Sequence, residues 1–295
     1  MGGPVVLDPL EVRRTLRQEG LRASRARSQN FLADPDVLQS ILDLADAQPT
    51  DRILEIGPGL GILTGGLLEA GAGVTAIELD RGLAAYLQRR FEDRVAAGRL
   101  ELIEGDALDR ELLQVVEPPF KVVANLPYHV TSPILHRLLG GLPRPERLVL
   151  MLQLEVAERI AAKPGSMSYL SAFVQYHAEV SIARRVPAAA FEPAPKVESA
   201  IVVLHPRPTV PLGEPGGDAE DRLWRLVQAG FRERRKMLRN VLPRQLPVGQ
   251  ATVDGALASL GISGDRRPQT LSIAEWLGLL AALPALGTDQ RGVRE

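Results

Sequence analysis

Between residues 52 and 152 two hydrophobic patterns alternate along the chain. Short, nearly continuous apolar runs recur at 52–57, 73–79, 99–104, 120–125 and 147–152. Between and after them, segments whose apolar residues fall three or four apart cover 62–70, 80–97, 132–139 and 155–162. A short helix is also expected just before the fourth run. Buried strands alternating with amphipathic helices predict a parallel, doubly wound sheet. Ahead of it, 9–19 reads as an amphipathic helix and 35–44 as a second, opened by Asp34-Pro35 and broken by Pro49.

The alternation then stops. Residues 171–183 and 199–205 are both strand-like with no crossover helix between them, which predicts an antiparallel hairpin closing the sheet. Residues 206–218 are rich in Pro and Gly and read as a linker. Only helical patterns follow, at 219–230, 234–242, 251–260 and 272–283. The expected architecture is α/β: a Rossmann-like, mostly parallel sheet with an antiparallel hairpin at its end, and a small all-helical C-terminal domain. The expected boundaries are 1–207 for the first domain with its N-terminal helical and basic extension, 208–218 for the linker and 219–295 for the helical domain.

Composition narrows the classes. The 295 residues are 45% hydrophobic, enough for a sizeable core. There is no cysteine, and the four histidines lack ligand spacing, so neither disulfides nor a metal site is expected. No apolar run is long enough to span a membrane, and the first residues carry no secretory pattern. A cytoplasmic monomer is expected. The net charge of −1 argues against a surface that binds nucleic acid everywhere. Two basic runs change that picture locally. Arg13, Arg14, Arg17, Arg22, Arg25 and Arg27 form one; Arg232, Arg234, Arg235, Lys236 and Arg239 form the other. Either alone reads as a solvated helix face; two together suit a protein that meets phosphates.

The ends of the strands carry the candidate chemistry. The first apolar run ends in Gly57-Pro58-Gly59-Leu60-Gly61, a turn that lets backbone approach a ligand. It departs from the dinucleotide pattern, because Ile62 stands where a third spaced glycine is wanted. Glu78 ends the second run, where a carboxylate can accept the hydroxyls of a ribose. Asp106 ends the third and can accept from an adenine amine. Asn125 ends the fourth, followed by Leu126, Pro127 and Tyr128. Its side-chain carbonyl, a turn stiffened by Pro127 and the flat face of Tyr128 can together hold an amine-bearing ring. Each group singly has an ordinary reading as a helix cap or turn. Four successive strand ends with ligand-type groups on one rim point instead to a nucleoside cofactor without a pyrophosphate, and S-adenosylmethionine fits.

These motifs resemble those of the ribosomal RNA adenine dimethylase family, and most closely its bacterial small-subunit branch, over residues 12–283. They are Gln29-Asn30-Phe31-Leu32, the 55–61 glycine turn, Glu78-Leu79-Asp80, Gly105-Asp106-Ala107, Asn125-Leu126-Pro127-Tyr128, the Phe191, Pro193, Pro195, Lys196, Val197 and Ser199 pattern, and 234–240. Asn-Leu-Pro-Tyr and the Phe191 pattern are specific in combination; the glycine turn is not. Ser28, Leu154 and a short 164–169 loop depart from the family pattern and bear on RNA contacts. The resemblance implies that Asn30, Leu32, Gly57, Glu78, Asp106 and Asn125 contact S-adenosylmethionine, with Gly59 in the same turn. It implies that Asn125 and the Leu126 carbonyl hold an adenine N6 while Tyr128 and Phe191 sandwich the extruded base. The partner implied is 16S rRNA in the small ribosomal subunit, dimethylated at two adjacent adenosines in its 3′-terminal helix, with Arg232 to Arg239 gripping backbone. Competing readings are a large-subunit rRNA methylase of the macrolide-resistance type, an amino-methylating DNA enzyme, and an assembly or transcription factor that keeps the fold without catalysis.

Overall fold

The computed structural model describes residues 8–24, 29–109, 115–127, 130–213 and 215–283. Seven strands form the main sheet: β2 (Arg52–Ile56), β3 (Gly73–Glu78), β4 (Leu100–Glu104), β5 (Lys121–Asn125), β6 (Arg147–Gln153), β7 (Ala178–Val186) and β9 (Ser199–Pro206). Their spatial order is β4-β3-β2-β5-β6-β9-β7. The first five are parallel, and β9 pairs antiparallel with both β6 and β7. The central parallel strands β2, β5 and β6 are buried on both faces, which is why they read as nearly continuous apolar runs. The chain winds outward from β2 to β3 and β4, then returns to β5 on the other side of β2. Ligands collect where the order of an open α/β sheet reverses in this way, at the carboxyl ends of its strands.

The helices of this part are α1 (Pro9–Gln18), α2 (Pro35–Ala45), α3 (Ile62–Glu69), α4 (Arg81–Arg90), α5 (Glu92–Ala96), α6 (Thr131–Gly140) and α7 (Leu154–Ile160). Asp8, Asp34 and Asp80 cap α1, α2 and α4 by accepting backbone N–H groups of the first turn. The single helix expected over 80–97 is two, divided at Phe91. Residues 110–114, ahead of the fourth apolar run where a short helix is expected, lie outside the described residues. On α1, Val12 and Leu16 pack with Phe31, Leu60, Leu83, Tyr86 and Leu87, which sets the N-terminal helix against the segments around the β2 turn. A separate two-stranded sheet joins β1 (Phe31–Leu32) to β8 (Phe191–Glu192), antiparallel. Arg13 holds Glu192 through two contacts of 2.8 Å, tying α1 to β8.

Contacts divide the chain into two units, 1–158 with 178–206, and 159–177 with 207–295. Two expectations are corrected here. Residues 159–177 were expected in the first domain and group with the second unit. Residues 171–183 were expected as one strand; 169–177 is instead helix α8 (Tyr169–His177), and β7 starts at Ala178. The cause is burial on all sides. Leu170, Ala172, Phe173, Val174 and Tyr176 are all buried, so no 3.6-residue stripe marks the helix.

The second unit has its own core. Ala172, Tyr176, Leu223, Leu226, Leu238, Val241, Trp276 and Leu279 lie in it. Besides α8 it contains α9 (Asp218–Arg232), α10 (Leu238–Gln245), α11 (Gln250–Ser259) and α12 (Ile273–Ala282). The stretch expected as a linker is partly anchored here: Val210 is buried in this core, and the Leu212 N–H donates to the Tyr176 hydroxyl at 3.2 Å. The basic run also sits differently from expectation. Residues 234–236 form the turn between α9 and α10, not the start of a helix.

Candidate active site

The glycine turn that follows β2 needs its glycines for conformation and for space. Gly57, Gly59 and Gly61 all have positive φ, between 60° and 72°. A Cβ on Gly61 would also meet Phe91 at 2.5 Å and Leu87 at 2.6 Å, so α4 packs directly on the turn. The turn is braced from the next strand. Glu78 accepts the Gly59 N–H at 3.0 Å with one carboxyl oxygen and the Asp80 N–H at 2.8 Å with the other. Each oxygen keeps a further lone pair for a ligand hydroxyl. Burial raises the Glu78 pKa, against the pull of these N–H donors.

Asn125 ends β5 beside this turn. Its side-chain Nδ2 donates to the Asn30 carbonyl at 3.3 Å. That contact assigns the amide: the nitrogen is used toward Asn30, and Oδ1 remains as the acceptor. Asn30 directly precedes β1, which is held by β8. The Leu126 N–H donates to the Met151 carbonyl at 3.2 Å, keeping the turn in line with β6. The Pro127 carbonyl accepts from the Val130 N–H at 3.2 Å. Asp106 is exposed; its Oδ1 caps the following turn by accepting the Leu108 N–H at 2.8 Å.

One cleft gathers Asn30, Leu32, Gly57, Gly59, Glu78, Asp106, Asn125, Leu126 and Pro127. Tyr128 lies outside the described residues. Phe191, expected to flank an extruded base, is 2% exposed, packs in the sheet core and is not among the described residues that line the cleft. Its pairing with Leu32 places it beside Leu32, Val186 and Ala190 in that core. Arg232, Arg234, Arg235, Lys236 and Arg239 belong to the second unit and are all exposed. Among the described residues, Arg239 pairs with Asp265 at 2.9 Å and Arg232 donates to Gln245 at 3.1 Å.

One residue of the site went unremarked in the sequence as a functional group. Glu55 is 1% exposed on β2 and lines the cleft. It accepts from the Thr64 hydroxyl at 2.7 Å. Burial pushes its carboxyl up to about 8, and the nearby Glu78 adds to this while Thr64 opposes it. The signal was present in the sequence: a carboxylate between Leu54 and Ile56 within a buried run. Among the described lining residues there are three carboxyls, Glu55, Glu78 and Asp106, and no Lys, Arg or His. Such a lining favours a cation with hydroxyl and amine groups.

The doubly wound sheet, glycine turn and acidic cleft at the switch point define a nucleoside-binding domain of the methyltransferase class. Residues 20–281 match the family described as ribosomal RNA adenine dimethylase, and the chain belongs to that family. It is 41% identical over 281 residues to the ribosomal RNA small subunit methyltransferase A of Geobacter metallireducens, covering 92% of this chain and 99% of that protein. The protein of the same name from Prochlorococcus marinus strain MIT 9313 is 44% identical over 273 residues, covering 90% and 95%. Among solved structures, a dimethyladenosine transferase from Plasmodium falciparum superposes with a TM-score of 0.71 at 29% identity, over 87% of this chain and 98% of that one. The 23S rRNA methyltransferase ErmE superposes with a TM-score of 0.65 at 30% identity, over 86% and 100%.

Proposed function

We propose that this chain transfers methyl groups from S-adenosylmethionine to adenine N6, dimethylating two adjacent adenosines in the loop of the 3′-terminal helix of 16S rRNA in the small subunit. The observation that carries the reading is the orientation of Asn125, whose Nδ2 donates to the Asn30 carbonyl, so that Oδ1 is the acceptor the amide has left to offer among the described residues. Oδ1 and the Leu126 carbonyl accept the two N–H groups of the amine. That draws its lone pair out of conjugation with the ring and aims it for in-line displacement. Positioning and electrostatics supply the rate, and the alkylated nitrogen loses its proton readily without a strong base. Pro127 stiffens the turn, and Tyr128 supplies a stacking face by the family resemblance.

The acidic lining fits the cofactor. Glu78 holds ribose hydroxyls, Asp106 the adenine amine, and the 57–61 turn with Asn30 and Leu32 the remainder. When bound, S-adenosylmethionine supplies an electrophilic methyl on a cationic sulfonium. The exposed Arg234, Arg235 and Lys236, with Arg232 and Arg239, meet rRNA phosphates, whose shape carries much of the recognition. Identity of 41–44% over nine-tenths of the chain to enzymes named for the small subunit supports the small subunit as substrate.

The test is single-turnover methyl transfer to small subunits lacking the modification, with the methylated bases mapped. Asn125→Ala is expected to slow transfer about a hundredfold or more while the protein stays folded. Folded Asn125→Ala protein working at the wild-type rate removes this reading of the site, and an inert wild type favours a non-catalytic factor. Replacing Arg234, Arg235 and Lys236 with Ala is expected to weaken subunit binding and flatten its salt dependence, leaving cofactor affinity in place.

A further inference from the structure

The three carboxyls of the cleft are not alike. Asp106 is exposed, and Glu78 is braced by two backbone N–H groups. Glu55 is sealed at 1% exposure with the Thr64 hydroxyl as its donor. Among the described residues, the elements around the cleft bring it no balancing charge. Helix α3 offers Thr64, β3 offers Glu78, the end of β4 offers Asp106, and β5 offers Asn125. The lining residue of α2 is the apolar Ile41, and the segment before β1 contributes the amides Gln29 and Asn30. A buried carboxylate without a cation, facing a second carboxylate, is strongly disfavoured, so Glu55 stays the acid until a cation joins it.

We propose that Glu55 ionises when the cationic cofactor binds, so that S-adenosylmethionine enters with release of a proton and is held in preference to its net-neutral demethylated product. The proposal rests on the cofactor reading above. The proton leaves the Glu55 carboxyl for bulk solvent, and no other bond changes. The sulfonium cofactor carries one more positive charge than the product, so it draws the carboxylate form more strongly. Burial pushes the Glu55 carboxyl up to about 8, which places the change in the physiological range. Below that value the site must surrender a proton to take the cofactor, and affinity falls with pH by up to about tenfold per unit. The product shows a shallower dependence, so discrimination between the two grows as pH rises.

Calorimetric titration of S-adenosylmethionine, and separately of S-adenosylhomocysteine, in two buffers of different ionisation heat counts the protons. At pH 7 the wild type is expected to release close to one proton per S-adenosylmethionine and fewer per S-adenosylhomocysteine. Glu55→Gln, which keeps the shape and the Thr64 contact, is expected to lose that release and to bind with little change between pH 6 and pH 8. Thr64→Val removes the donor that favours the carboxylate and is expected to move the wild-type profile to higher pH. Equal proton release in wild type and a folded Glu55→Gln overturns the assignment to Glu55 and leaves the cofactor reading standing. Absence of binding to the wild type overturns both. Should thermal melting show Glu55→Gln unfolded, an unmoved profile in Thr64→Val overturns the proposal.

Discussion

Glu55 in the first unit and Glu220 in the second are both nearly out of water, at 1% and 3% exposure, yet their carboxyls are displaced in opposite directions. Burial raises both. Around Glu55 the counterweight is Thr64 alone, through its hydroxyl and its backbone N–H, and burial wins. Around Glu220 the Trp224 indole N–H donates at 2.8 Å and the Gly216 N–H at 3.0 Å. The His177 Nε2 lies 3.0 Å away. Phe173, Tyr176 and Trp224 enclose the His177 ring, with centroids 4.5 to 5.9 Å away. The contacts from His177 and Trp224 outweigh burial and hold Glu220 low. Depth in the protein therefore does not say what a carboxyl is for. A satisfied one builds structure, while an unsatisfied one facing a cleft is poised to meet a ligand.

The largest effect is expected where the satisfied carboxyl is removed. Glu220→Leu leaves the Trp224 and Gly216 donors and the His177 ring without an acceptor, and should destabilise the second unit by about 3–5 kcal/mol. Urea unfolding followed through tryptophan fluorescence reads this; a loss below about 1 kcal/mol would make the two glutamates equivalent after all. Glu55 sharpens the contrast through pH. Its folded carboxyl binds a proton more tightly than the unfolded chain's, so the stability this gives is complete below about pH 4.3 and is lost as pH rises toward about 8. Without cofactor, wild type should lose stability relative to Glu55→Gln across that window, by up to about 1.4 kcal/mol per unit. Glu220 is lowered, so its contribution is present above the unfolded value and lost as pH falls through the folded one. Melting curves of wild type, Glu55→Gln and Glu220→Gln should therefore show slopes of opposite sign. The smallest effect belongs to a carboxyl that water reaches. Glu275 accepts from Ser272 and Arg266 at the start of α12, in a reciprocal cap. Ser272→Ala should lower stability by about 1 kcal/mol, measured by the same urea titration.

The parallel strands were legible in the sequence because each is a nearly continuous apolar run, and the first four stop at a Gly, Glu, Asp or Asn; Gly57, Glu78, Asp106 and Asn125 do line one cleft. What escaped is what periodicity cannot encode. Helix α8 is buried on every side, so its apolar residues mimic a strand. The β1–β8 pairing involves two residues on each strand, too few to leave a pattern. Phe191 stands among prolines and so reads as a loop residue, and only this pairing shows that it enters the core. Glu55 was hidden by its own strand, where one acidic residue in an apolar run looks like an interruption and not a lining group. The basic run at 234–236 was found, but a turn and a helix start share the same charges.

The small β1–β8 sheet has a consequence for the order in which the protein is made. Phe31 and Leu32 find their strand partners in Phe191 and Glu192, far along the chain. A growing polypeptide that has already emerged through β6 contains the glycine turn, Glu55, Glu78, Asp106 and Asn125, yet the segment carrying Asn30 still lacks the strand that pins it. Long-range pairings of this kind bear a loop-closure penalty that local helices do not, and they form late. The carbonyl that orients Asn125 is thus set in place by nearly the last strand of its unit to be synthesised. A truncated product has the rim of the cleft without the brace for the Asn125 amide until that strand arrives.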